Sequence, residues 1–173
     1  MIKFSTAFKL VALSGALILA GCQSKPKETA DNAPPMASEP ATSAPTSSIV
    51  PGSAEDLRVN VGDTVHFDYD RYDVMDSDKA VLQRQAAWLG KYPSVRVTVE
   101  GHCDERGTRE YNLALGARRA NAVKEYLVSL GVSAGRLETI SYDKERPMCT
   151  ESSESCWAQN RRGVTTITSG ANS

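Results

Sequence analysis

Asp104 and the arginine pair Arg118 and Arg119 are the residues of this chain best suited to chemistry. Asp104 lies in the run EGHCDERGT, from Glu100 to Thr108, and the arginines close the run EYNLALGARRA, from Glu110 to Ala120. A carboxylate and a planar guanidinium presented together suit a ligand that carries both an ammonium and a carboxylate, because each forms a charge-assisted hydrogen bond with its opposite. The same residues admit a plainer arrangement, an Asp104–Arg119 salt bridge tying loop to helix. Cys103, with His102 or His66 as base, has the makings of a thiol nucleophile, and equally of a small residue packed beside the loop. His66, His102 and Cys103 lack the paired spacing of a zinc site, so no metal and no other cofactor is expected.

These residues must be held by a regular framework, and the hydrophobic pattern supplies one. Val95 to Glu100 alternates apolar and polar residues, as a half-buried strand does. A polar loop from Gly101 to Thr108 leads into a helix expected over Glu110–Leu130 and ended by Gly131. On that helix Leu113, Ala117, Ala120, Val123, Leu127 and Leu130 form one apolar stripe. Arg119 falls roughly 70° from its centre, at the boundary of the core, and Arg118 roughly 170° away, in solvent. Leu115 lies one turn before Arg119 on the same side. Upstream, Val65 and Phe67 alternate with polar neighbours in a strand that ends at Tyr69 and Asp70. Asp76 is the expected cap of a helix that runs to Tyr92 and stops before Pro93. Leu137–Tyr142 and Val164–Thr168 read as further strands, and Glu151–Asn160 as a short helix or loop. The expected fold is α+β, an α/β sandwich with helices on one face of a small mixed sheet.

The N-terminal third has a different character. Lys3 and Lys9 precede an apolar run from Leu10 to Ala20 that is too short to span a bilayer. It ends in Leu19, Ala20, Gly21 and Cys22, which resembles the lipobox of bacterial lipoproteins. Residues 1–21 are therefore expected to be a leader, and Cys22 to carry N-palmitoyl and S-diacylglycerol chains. Gln23 follows, without the Asp that would imply retention in the inner membrane, so the outer membrane is the expected destination. Six of the eight prolines fall between Gln23 and Asp56, and that stretch contains no Phe, Leu, Tyr or Trp. Such a composition predicts a disordered tether over 22–56, spanning roughly 30–35 Å as a coil. The folded domain is expected to occupy residues 57–173. A formal net charge of −1 gives no electrostatic footprint for nucleic acid.

Over residues 60 to 168 the chain resembles the OmpA-like C-terminal family of the Gram-negative envelope. The lipobox and tether point to the lipid-anchored, peptidoglycan-associated branch that works with the Tol proteins. The resemblance rests on VHFDYDRYD from Val65 to Asp73, on the two runs around Asp104 and Arg119, on Ile140-Ser-Tyr142, on Glu145-Arg-Pro147, and on WAQNRR from Trp157 to Arg162. It implies a non-enzymatic anchor that binds meso-diaminopimelate in the stem peptides of peptidoglycan, outside the cytosol. Asp104 would accept the ammonium, Arg119 would fork onto the carboxylate, and Asp70, Tyr69 and Leu115 would line the pocket. Tyr69 stands where the family more often has Phe. The resemblance also implies a periplasmic β-propeller partner of the Tol system and a role in envelope integrity and cell division; a wall anchor outside that system is the alternative. The family often lacks cysteines around residue 150, and an oxidising compartment would allow Cys149 and Cys156 to pair, leaving Cys103 single.

Overall fold

The computed structural model describes residues 49–173. The leader, Cys22 and the expected tether up to residue 48 lie outside the described residues. The described chain contains four helices and four strands: α1 (Ala54–Asp56), β1 (Thr64–His66), α2 (Asp76–Lys91), β2 (Arg96–His102), α3 (Arg109–Ser129), β3 (Leu137–Asp143), α4 (Glu154–Asn160) and β4 (Arg162–Ser169). A π-helical turn, Leu57–Val61, and a 3₁₀ turn, Ala134–Arg136, complete it.

The sheet is mixed, in the order β1–β4–β2–β3. β2 and β3 run parallel, with Val97 opposite Leu137, while β4 runs antiparallel to β1 and to β2. Side chains alternate across a strand, and in β2 this sends Val97 and Val99 into the core while Thr98 and Glu100 stay partly exposed. Leu82 and Leu89 of α2 and Ala120, Val123 and Leu127 of α3 join them, with Val65, Phe67 and Leu137, in one cluster. Both long helices therefore cover one face of the sheet, and the fold is the expected α+β sandwich.

Several local expectations shift. Met75, not Asp76, occupies the N-cap position of α2, and Asp76 is its first residue, paired with Lys79 at 2.6 Å. The Asp78 carboxylate instead ties the helix to β1 by accepting from the His66 backbone N–H at 2.6 Å. The buried line of α3 runs through Asn112, Leu115, Gly116, Arg119, Ala120, Val123 and Leu127, while Leu113 is half exposed and Leu130 is also at the surface. The reason is a backbone contact. A Cβ on Gly101 of β2 would lie 1.8 Å from the Gly116 carbonyl oxygen, so the two glycines set helix against strand at a distance no side chain permits. That contact rotates α3 until Gly116 faces the sheet and Leu113 leaves the core.

The folded domain also begins earlier than residue 57. Asp56 is buried, and its carboxylate accepts from the Gly52 backbone at 2.7 Å, from Asn60 Nδ2 at 2.8 Å and from Trp88 Nε1 at 2.8 Å. Asn172, near the C-terminus, donates to the carbonyls of Pro51 and Gly52. Composition describes residues 51–56 as tether, but a single well-partnered aspartate fixes them on the domain.

On the sheet's other face, His102 is only 2% exposed, with Nε2 3.3 Å from Glu100 Oε2 and its ring 5.5 Å from that of Tyr142. Burial, then the charge of Arg162, pushes the imidazole down to about 4. Two outcomes follow. Gly101→Ala is expected to lower stability by about 3 kcal/mol or more, measured by urea denaturation, since no side-chain rotation relieves a clash with backbone. His102 adds a pH dependence whose sign is set by its depressed pKa: its contribution is full above about pH 6.5 and is lost as pH falls toward 4. Between pH 7 and pH 5 the loss is about 2 kcal/mol, and His102→Gln is expected to flatten that slope in parallel denaturation curves.

Candidate functional site

A cleft opens where the C-terminal end of β2, the start of α3 and the segment after β1 converge. Tyr69, Asp70, Asp104, Leu115 and Arg119 all line it, together with Cys103, Arg106, Tyr111 and Asn112. The five residues expected to bind the ligand thus face one space, although residue 70 and residue 119 are brought from separate elements.

Arg119 is 1% exposed, deeper than its place on the helical wheel implies. Its guanidinium does not bond Asp104. It donates to three carbonyl oxygens instead: Nε to Arg71 at 2.9 Å, NH1 to His102 at 2.8 Å and NH2 to Asp68 at 3.1 Å. The Phe67 ring lies 5.2 Å from its central carbon. A guanidinium has five N–H donors, and these bonds occupy three of them. Burial pulls its pKa below the ordinary value, with partial relief from Cys103 and Asp104. Arg118 is exposed and lies over the Tyr72 ring, 5.8 Å from its centroid.

Asp104 is buried and doubly paired. Arg106 donates from Nε to Oδ1 at 3.1 Å and from NH2 to Oδ2 at 2.5 Å, and Arg161 donates from NH1 to Oδ2 at 3.3 Å. Burial works to raise its pKa, but the hydrogen bonds and charge of the two arginines win and hold the carboxyl below its usual value. The alternative Asp104–Arg119 salt bridge is therefore not formed, and an Arg106–Asp104–Arg161 arrangement stands in its place. Two nearer guanidiniums saturate the carboxylate, and the backbone carbonyls satisfy much of Arg119.

The loop that carries Asp104 is braced from three sides. Asn112 Nδ2 donates to the Arg106 carbonyl at 2.8 Å, and Lys144 Nζ donates to the carbonyls of Glu105 and Gly107 at 3.0 and 2.9 Å. Thr108 caps α3 through Tyr111 N. Across the cleft, Asp70 adopts φ +57°, a left-handed conformation that Asp tolerates, and accepts a hydrogen bond from the Tyr111 hydroxyl. Tyr69 is 60% exposed, and its ring lies 4.2 Å from the central carbon of Arg106. Trp157 of α4 faces the same guanidinium at 4.0 Å. α4 is held by a disulfide between Cys149 and Cys156, with Cα atoms 5.2 Å apart, and by Asn160, whose side chain bonds the backbone of Met148 and Cys149.

Arg106, Arg161, Trp157 and Tyr111 received no role from the sequence. A cation two residues from Asp104 was visible in the run itself; Arg161, separated from it by 57 residues, was not. Cys103 is a buried thiol whose Sγ donates to the Asn112 carbonyl at 3.3 Å, and burial pushes its pKa up to about 11. His102 turns its ring toward Glu100 and Tyr142 on the other face of the sheet, so the Cys103–His102 couple of the enzymatic alternative is not assembled.

A profile of the OmpA family matches residues 66–161. The chain is 51% identical to a peptidoglycan-associated lipoprotein of Mesorhizobium japonicum, over 95% of this chain and 93% of that one. It is 50% identical to the protein of that name from Agrobacterium fabrum, over 91% and 86%. The crystal structure of the peptidoglycan-associated lipoprotein from Burkholderia pseudomallei is similar with a TM-score of 0.60 and 44% identity, covering 61% of this chain and 89% of that one. Sequence and fold agree, and the chain belongs to the OmpA family, among its peptidoglycan-associated lipoproteins.

Proposed function

We propose that the protein is a non-enzymatic anchor of the outer membrane, held there by lipid on Cys22, that grips peptidoglycan through meso-diaminopimelate in the cleft. The observation that carries this reading is the cleft's charge pattern: an ionised Asp104 on one wall and, on another, a buried Arg119 whose hydrogen-bonded partners are neutral carbonyls. The free end of a diaminopimelate side chain bears an ammonium and a carboxylate on one carbon, which matches that pair. Tyr69, Asp70 and Leu115 supply the rest of the wall. The elevated pKa of Cys103 and the outward turn of His102 support a binding role over a catalytic one.

Charge-assisted hydrogen bonds contribute about 1.5–3 kcal/mol each, so two or three of them imply affinity on the order of micromolar. The wall repeats the ligand and the lipid keeps the domain close to it, so effective concentration raises occupancy without tighter contacts. A periplasmic β-propeller of the Tol system is the protein partner in this reading. Competition for an overlapping surface lets that partner release the domain from the wall during cell division.

Binding of the full chain to sacculi containing diaminopimelate, and to sacculi with lysine in its place, tests the assignment. Wild type is expected to prefer the former by at least tenfold, and Asp104→Asn to lose that preference. Arg119→Lys keeps the charge but not the fork and is expected to weaken binding about tenfold, or about 1.4 kcal/mol. Thermal melting of each variant reports whether the domain still folds. Equal wall binding by wild type, or full selectivity in a folded Asp104→Asn, would return these residues to a structural role. In a pull-down, a soluble diaminopimelate peptide is expected to reduce capture of the Tol propeller; capture that the peptide leaves unchanged argues for separate surfaces, and no capture at all for an anchor outside the Tol system.

A further inference from the structure

The carboxylate assigned to the ligand's ammonium already holds a cation. Arg106 bonds both oxygens of Asp104 through its guanidinium, and its backbone N–H adds a third contact at 3.1 Å. Arg161, the other partner, is buried and also bonds the Phe67 carbonyl at 3.0 Å and Glu154 at 2.6 Å, so it belongs to the frame. Arg106 is different. Its side chain is 29% exposed, it rises from a loop at the cleft mouth, and its guanidinium lies between the rings of Tyr69 and Trp157 at 4.2 and 4.0 Å. A second carboxylate, Glu154, stands 3.6 Å from its NH1. Glu154 is already bonded by Arg161 at 2.6 Å, so it is no full replacement for Asp104 when the partly exposed Arg106 is displaced.

We propose that Arg106 is a built-in competitor that determines ligand selectivity: a ligand ammonium reaches Asp104 only by displacing the Arg106 guanidinium, and only a ligand with a carboxylate beside that ammonium gives the displaced guanidinium a new partner. This inference rests on the reading of the cleft as a diaminopimelate site. The charge count supports it. Three arginines (Arg106, Arg119 and Arg161) face three carboxylates (Asp70, Asp104 and Glu154) around the cleft, so the site is balanced before a ligand enters. A zwitterionic end leaves that balance as it is. A lone ammonium, as on a lysine side chain, leaves one positive charge uncompensated in a partly desolvated space where like charges repel strongly. Selectivity then comes from an element that penalises the wrong ligand as well as from contacts with the right one. Tyr69 and Trp157 hold the guanidinium at its post through their ring faces.

The test is calorimetric titration of the full chain with two soluble stem peptides that differ only in carrying diaminopimelate or lysine. Arg106→Gln is expected to move the two affinities in opposite directions. The lysine peptide binds more tightly because the competitor is gone, and the diaminopimelate peptide binds less tightly because its carboxylate loses the freed guanidinium. Their ratio is expected to fall at least tenfold. Arg106→Lys, which keeps a cation, is expected to retain most of the ratio. Trp157→Leu, which removes one wall of the aromatic sandwich, should shift the ratio the same way by a smaller factor, and it keeps the inference testable if the glutamine variant melts early. An unchanged ratio in folded Arg106→Gln, or an equal loss for both peptides, would overturn the inference and leave Arg106 as a brace for Asp104. A wild type that binds neither peptide would overturn the diaminopimelate reading itself, and this inference with it.

Discussion

The buried guanidinium of Arg119 is the interaction on which the cleft depends. An arginine shielded from water must have its donors satisfied, and here three carbonyl oxygens from two separate segments do so. Two of them, Asp68 and Arg71, belong to the turn that follows β1; the third, His102, ends β2. One side chain of α3 therefore fixes the positions of two loops that have no regular structure of their own. Those loops carry Tyr69 and Asp70 on one side and Asp104 on the other. Neutral carbonyls suit this task better than a carboxylate would, because they satisfy hydrogen bonds without spending the positive charge.

Asp104 is arranged by the opposite logic. Its neighbours are charged, they come from its own loop and from the end of α4, and they keep it ionised against its burial. Backbone dipoles hold the cation and formal charges hold the anion, so the two groups that face each other across the cleft do not neutralise each other. The Gly101–Gly116 contact supports this separation. By drawing α3 onto β2 it seats Arg119 below the rim of the cleft, while Asp104 stays on the loop above.

Much of this was legible in the residues. The alternation of Val95–Glu100 and the long period of α3 marked the two elements that matter most, and the five residues assigned to the cleft do share it. What escaped was long-range or governed by backbone. A wheel built on side-chain hydrophobicity placed Leu113 in the core, because it is blind to two glycines touching through main-chain atoms. Composition assigned residues 51–56 to the tether, because the partners of Asp56 include a tryptophan 32 residues away. Proximity in sequence favoured an Asp104–Arg119 pair, whereas Arg161, distant in sequence, takes a place beside Asp104. The local pattern showed which elements form, and the choice of polar partners was settled only when distant segments met.

The position of β4 has a consequence for how the chain becomes a fold. It is the last strand made, yet it lies between β1 and β2, so β1 has no neighbour in the sheet until residues 162–169 exist. Asp104 likewise lacks its Arg161 partner until then. Pairing of ends this far apart in sequence is slow and cannot begin on a growing chain. The β2–α3–β3 unit needs no later strand, but the sheet closes only when the last strand is made. Under the envelope location proposed above, that delay favours export of the chain before the sheet closes.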